Sequence, residues 1–115
     1  MEAEFSLTSE MKANCLVINT NGYINNSGGE QIAVEFEKHF EQGIKKVVIN
    51  LAKSKVVNSI GISFLIEIIE KLNDADGKLY FSNLDPSIEK TLTIMGLFSF
   101  AEKAATVEEA VEALK

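Results

Sequence analysis

The sequence has little with which to build covalent or metal cross-links: among 115 residues there is one cysteine, Cys15, and one histidine, His39. A lone thiol excludes an internal disulfide and a metal cage of thiolates. Its setting, Asn14-Cys15-Leu16-Val17-Ile18, reads as strand, where a free cysteine behaves as a small buried hydrophobe. Proline occurs once, as Pro86, and glycine seven times, with no repeat or low-complexity tract, so nothing marks a linker. No apolar run approaches the roughly 18 residues of a membrane span. The most apolar stretch, residues 60–69, is broken by Glu67 and followed by Glu70 and Lys71, as in a buried helix. The start, Met1-Glu2-Ala3-Glu4, is acidic and lacks the basic opening and apolar run of a signal peptide, so the cytoplasm is the expected compartment. Basic residues are also in deficit, with a net charge of -6 and scattered lysines whose only local grouping is Lys45-Lys46 with Lys53 and Lys55. Nucleic-acid binders need a basic patch to neutralise phosphates, so that class is disfavoured.

What is present is a balance of 46% hydrophobic and 24% charged residues, which suits a packed core with a solvated surface and one domain over residues 1–115. An acidic surface fits solubility or a basic protein partner, and is compatible with a monomer or weak dimer. Residues 5–9 and 15–20 read as strands separated by a turn at 11–14, and Asn21-Gly22 signals another turn, after which Tyr23-Ile24 extends or restarts the sheet. Asn25, Asn26, Ser27, Gly28 and Gly29 stop any strand and offer N-cap candidates. Ile32, Ala33, Phe36 and Phe40 recur at helical spacing, predicting a helix over 29–42 that Gly43 ends. Residues 46–51 are β-branched and nearly continuous, as in a central strand.

A second helix is predicted over 59–73 on the apolar face of Ile62, Leu65, Ile66 and Ile69, then a turn at Asp76-Gly77 and a strand over 79–81. Asp85-Pro86 opens a third helix with a stripe of Ile88, Leu92 and Met95, ended by Gly96. Thr106 and Glu109 form a capping box for a last helix faced by Val107, Ala110, Val111 and Leu114. The expected fold is therefore α/β, a mixed sheet of four to five strands with about four helices, its β-α-β-α-β middle parallel and its leading hairpin antiparallel.

The most informative stretch is Val56-Val57-Asn58-Ser59-Ile60-Gly61, which delivers the chain into the second helix. In open α/β sheets functional groups gather beyond the carboxyl ends of the strands. A phosphate on Ser59 would meet the amides of Ile60, Gly61 and Ile62 at the positive end of the helix dipole, with Gly61 removing a side chain that would crowd it. Local spacing alone favours the plainer reading, in which Asn58 or Ser59 only caps the helix. Enzyme readings are weaker. A nucleophile elbow needs small residues on both sides of its serine, and Val57 stands where the first glycine should be. His39, near a helix C-terminus, is better explained by the helix dipole than by a triad. The phosphate-loop ending is absent after Ser27-Gly28-Gly29-Glu30. The sequence around Asp74 and Asp76 fails as a calcium loop, because Leu72 and Asn83 fall at the first and twelfth positions. Aromatic Phe98 and Phe100 after the third helix read as core rather than as an exposed docking patch. No catalytic residue, cofactor or metal is implied.

Element order and the Ser59 region together resemble the STAS family, the domain of bacterial anti-sigma-factor antagonists. The resemblance runs through Gly22, the strand over 46–51, Asn58-Ser59-Ile60-Gly61, Asn83-Leu84 with Pro86, and Gly96-Leu97. It implies a binding protein whose unphosphorylated form engages an anti-sigma factor, often itself a serine kinase, and so releases a sigma factor. Phosphorylation of Ser59 by that kinase would switch binding off, and a phosphatase would restore it. Asn58, Ser59, Ile60, Gly61 and Ile62 are then the expected partner-binding segment. The family motif places aspartate before the serine and often a second serine after it, where this chain has Asn58 and Ile60. That departure leaves open an alternative, an unswitched binding or scaffold module of a signalling complex or transport system.

Overall fold

Two strands joined by the tightest of turns open the described part of the chain. The structure is a computed structural model and describes residues 4–115. Strand β1 (Ser6–Lys12) pairs antiparallel with β2 (Cys15–Asn21), with Lys12 opposite Cys15. Ala13 and Asn14 have φ of 51° and 67°, the left-handed pair that a two-residue hairpin turn requires. The turn is therefore shorter than the expected 11–14, and β1 takes in Met11 and Lys12. There follow α1 (Asn26–Phe40), β3 (Lys46–Lys53), α2 (Ser59–Asp74), β4 (Lys78–Ser82), α3 (Pro86–Ile94), a 3-10 turn (Leu97–Ser99), β5 (Glu102–Ala104) and α4 (Val107–Leu114).

The strands lie in the order β1-β2-β3-β4-β5, antiparallel for the first pair and parallel for the rest, so the sheet is mixed and within the expected four to five strands, although Ile24 makes only an isolated bridge and the fifth strand lies elsewhere. The fifth strand is the one element with no sequence signal. Its three residues include charged Glu102 and Lys103, and pairing of 102–104 with Tyr80, Phe81 and Ser82 alone makes it strand.

Alternation along the strands divides the interior in two. Leu16 and Ile18 of β2, Val47, Ile49 and Leu51 of β3, and Leu79 and Phe81 of β4 belong to a large core shared with α1, α2 and α3. Cys15, Val17 and Val48 face the other way, against Val107, Ala110, Val111 and Leu114 of α4. Covering on both faces is why these strands read as unbroken hydrophobic runs. The fourth helix buries all four residues of its expected stripe. In α2 the buried set is Ile62, Leu65, Ile68, Ile69 and Leu72, with Ile66 half-buried at the margin. Two expectations fail at the end of α3. Met95 is 50% exposed rather than core, because it is the last residue before Gly96 turns the chain with φ of 81°. Of the aromatics that follow, Phe98 packs edge-on against Phe81 at 6.1 Å, whereas Phe100 is 66% exposed.

The edge strand β1 is held to the helical layer by Leu7 and by a hydrogen bond from Ser9 Oγ to the Glu35 carboxylate of α1. That bond, helped by Lys38 at 3.1 Å and opposed by partial burial, holds the Glu35 carboxyl below its usual range.

A depressed carboxyl stabilises the fold above its unfolded pKa and loses that contribution as pH falls through the folded one. Ser9→Ala should therefore cost about 1 kcal/mol near neutrality. Its difference from the parent should begin to shrink once pH falls below the ordinary glutamate value of 4.5, and vanish below the lowered one. Urea titrations across that range measure it. In the same assay Phe81→Ala should cost about 3–5 kcal/mol, and Phe100→Ser less than about 0.5 kcal/mol.

Candidate functional site

Beyond the carboxyl ends of β2 and β3 the two segments stay together. Gly22 N–H donates to Lys53 O at 2.9 Å, Ile24 N–H to Val56 O at 3.0 Å and Asn58 N–H to Ile24 O at 3.1 Å, with Ile24 and Val57 bridged in parallel. Beneath this seam Ser54 is fully buried, its hydroxyl 2.7 Å from that of Thr20, which donates to Asn50 O at 3.2 Å. The loop from 54 to 58 is thereby fixed by satisfied polar groups.

The seam places the starts of α1 and α2 side by side, and both are built alike. Asn25 Oδ1 accepts from Gly28 N–H at 3.0 Å, and Asn58 Oδ1 accepts from Gly61 N–H at 2.7 Å. Each helix thus opens with an asparagine cap and a glycine three residues on. The glycines are needed because the Tyr23–Ile24 backbone passes directly over both first turns. A Cβ on Gly28 would stand 2.9 Å from Tyr23 O, and one on Gly61 would stand 2.3 Å from Ile24 O. Gly61 is therefore required by backbone packing, whatever room it also leaves beside Ser59. Residues 26–28, read from sequence as loop, are the first turn of α1.

The five expected site residues divide by position. Ser59 is exposed and its hydroxyl has no partner among the described residues, Ile60 is 45% exposed, and Asn58 is half-buried with Nδ2 3.5 Å from Asn26 Oδ1. Gly61 and Ile62 are buried. Of the amides expected to receive a phosphate, Gly61 N–H is taken by its cap and Ile62 N–H by Asn58 O at 2.9 Å. Among the described residues, the Ser59 and Ile60 N–H groups are the first-turn donors left without a partner.

Two exposed residues nearby lie outside the expected partner-binding segment. Val56 is 55% exposed and Tyr23 is also exposed, and both flank the seam that leads into α2, where Ile60 is exposed too. Two segments build most of this end, and neither 11–29 nor 42–66 contains a carboxylate, although the second carries Lys53 and Lys55. Ser87 Oγ donates to Lys55 O at 3.2 Å, bringing the start of α3 to the same loop. Asp85 comes with it, its carboxylate 3.2 Å from Ser87 Oγ, so the end of the sheet that carries the exposed Ser59 hydroxyl combines exposed apolar side chains, lysine and one carboxylate. His39 lies 13 residues along α1 from its start, roughly 20 Å from that end at helical rise, with its Nδ1 2.9 Å from Glu35 O. It does not join Ser59.

The STAS domain profile matches residues 6–110. A Bordetella bronchiseptica protein described as a candidate anti-sigma factor antagonist, BtrV, is 25% identical over 109 residues, covering 95% of this chain and 94% of its own. An anti-sigma factor antagonist candidate of Thermotoga maritima superposes with a TM-score of 0.87 at 15% identity, over 94% of this chain and 93% of its own. The Bacillus cell fate determinant SpoIIAA, solved in a phosphorylated form, gives 0.76 at 22% identity over 96% and 100%.

The seam and the caps make separable contributions. Asn58→Ala should cost about 1 kcal/mol in chemical denaturation, while Asn58→Asp, an equally good cap, should stay within a few tenths. Gly61→Ala should cost about 3 kcal/mol, since the obstructing atom is backbone and cannot rotate away.

Proposed function

Because the chain belongs to the STAS domain family, of which anti-sigma factor antagonists are full-length relatives, we propose that it is a non-catalytic, phospho-switched anti-sigma factor antagonist with Ser59 as the acceptor. The observation that carries this reading is the exposed, unpartnered Ser59 hydroxyl at the first position of α2, between exposed Val56 and Ile60. The partner is an anti-sigma factor with serine kinase activity, which supplies the phosphate from its own ATP; a phosphatase resets the switch. Val56, Ser59, Ile60 and Tyr23 form the surface that meets it. Asn58, Gly61 and Ile62 hold that surface in place.

The physics of the switch lies in what one phosphate changes. It adds about 1.5 to 2 negative charges. Within this chain those charges are tolerated: the α2 dipole is positive there, the Ser59 and Ile60 amides are free to donate, Lys53 ends β3 and Lys55 sits in the loop that follows. An apolar partner surface packed on Val56 and Ile60 has no such compensation and would have to bury the new charge. The modification therefore leaves the fold intact and removes the complementarity.

Asn58, where the family motif has aspartate, supports the second reading of an unswitched binding module, because a carboxylate beside the acceptor is missing. Its amide still caps α2, so the fold is indifferent to the exchange.

Binding to the kinase-type anti-sigma factor of the same cells, measured by calorimetry, separates the two. Ser59→Asp should weaken binding at least about tenfold, a change of about 1.4 kcal/mol, while Ser59→Ala stays within about threefold of the parent. Equal binding by both variants would leave the unswitched module as the function.

A further inference from the structure

At the far end of α2 from Ser59 lies a second surface that the switch does not use. A groove of about 350 Å³ runs between the second half of α2 and the turn after α3, with Ile66 and Ile69 on one wall and Met95, Leu97 and Phe100 on the other. Phe100 and Met95 are 66% and 50% exposed, and Ile94 beside them is exposed as well, although nothing in the turn requires large apolar residues at its surface. Glu70 and Asp74 line the same groove, and with exposed Glu67 they stand at i, i+3 and i+7 along α2, one acidic stripe beside the apolar one. No lysine lines it; the one lysine of this stretch, Lys71, is turned to Glu37 of α1 at 2.6 Å.

We infer that this groove docks a basic amphipathic helix of a partner protein, independently of the state of Ser59. An apolar stripe flanked on one side by carboxylates is the complement of a helix carrying apolar residues at i, i+3 or i+4 and i+7 with lysine or arginine alongside. A second copy of this chain fits poorly: a two-fold pairing through the groove would bring two acidic stripes into one interface with no lysine of the groove to offset them, in a chain whose net charge is already -6. Ser59 and Glu70 are 11 residues apart on one helix, roughly 16 Å, so a partner helix in the groove leaves the acceptor hydroxyl open. A phosphate at Ser59 would thus release one partner while the other stays bound.

The probe is a synthetic amphipathic helix of leucine and lysine, about four turns long, titrated into isotopically labelled protein with amide shifts as the readout. Saturable shifts should concentrate on the second half of α2 and on 95–100. Phe100→Ser and Glu70→Lys should each weaken binding about tenfold, and a leucine and glutamate peptide should not bind. Ser59→Asp should bind the lysine probe as the parent does, whatever its effect on the anti-sigma factor, so that failure here and failure of the switch are told apart. Shifts scattered over the exposed carboxylates and indifferent to Phe100→Ser would overturn the inference. Concentration-dependent shifts in the groove without peptide would replace the partner helix by a second copy, and loss of probe binding in Ser59→Asp would end the claim of independence.

Discussion

The contact on which the rest of the site depends is the passage of the Ile24 carbonyl over Gly61, closer than any side chain would allow. The same carbonyl accepts from Asn58 N–H, so one oxygen both terminates the seam between β2 and β3 and sets the entry of α2. Fixing that entry fixes where Ser59 faces, since a helix whose first turn is pinned has only one direction in which to present its first residue. Asn58 completes the arrangement by occupying Gly61 N–H, and the parallel arrangement at Asn25 and Gly28 holds the neighbouring helix in step.

Given that frame, the surface chemistry sorts itself along α2. Near its start stand exposed Val56, Ile60 and Tyr23 and the Lys55 loop, with Asp85 the carboxylate that the start of α3 brings to that loop. Toward its end carboxylates stand beside an apolar groove. A single helix of 16 residues, about 24 Å long, thereby carries two faces of different electrostatic character on one rigid element. Its middle is anchored by Leu65, Ile68 and Ile69 in the larger core, so neither face can shift without the other.

Much of this was legible in the order of residues. Strands β2, β3 and β4 and helices α2 and α4 announce themselves by period, and the loop into Ser59 by its position after a strand. The cap at Asn58 follows from residue type. What the sequence hid had physical causes. Strand β5 is made by its neighbour, not by its own residues. The first turn of α1 looked like loop because Gly28 and Gly29, poor helix formers, are required there by the backbone and by Phe64 that pass against them. Met95 and Phe100 keep helical or core character in composition, yet the left-handed Gly96 swings the chain and leaves them at the surface. The exposure of Tyr23 and Val56 had no signal either, since it depends on a seam between segments some thirty residues apart.

The central claim is that Ser59 carries a reversible phosphate in the cell. Intact and peptide mass analysis of the protein taken directly from its native cells, across growth and stress conditions, tests it most directly. One phosphate is expected, on the peptide containing Ser59, with an occupancy that changes with conditions. A chain that is unmodified under every condition, and stays so when incubated with ATP and extract of its own cells, would contradict it.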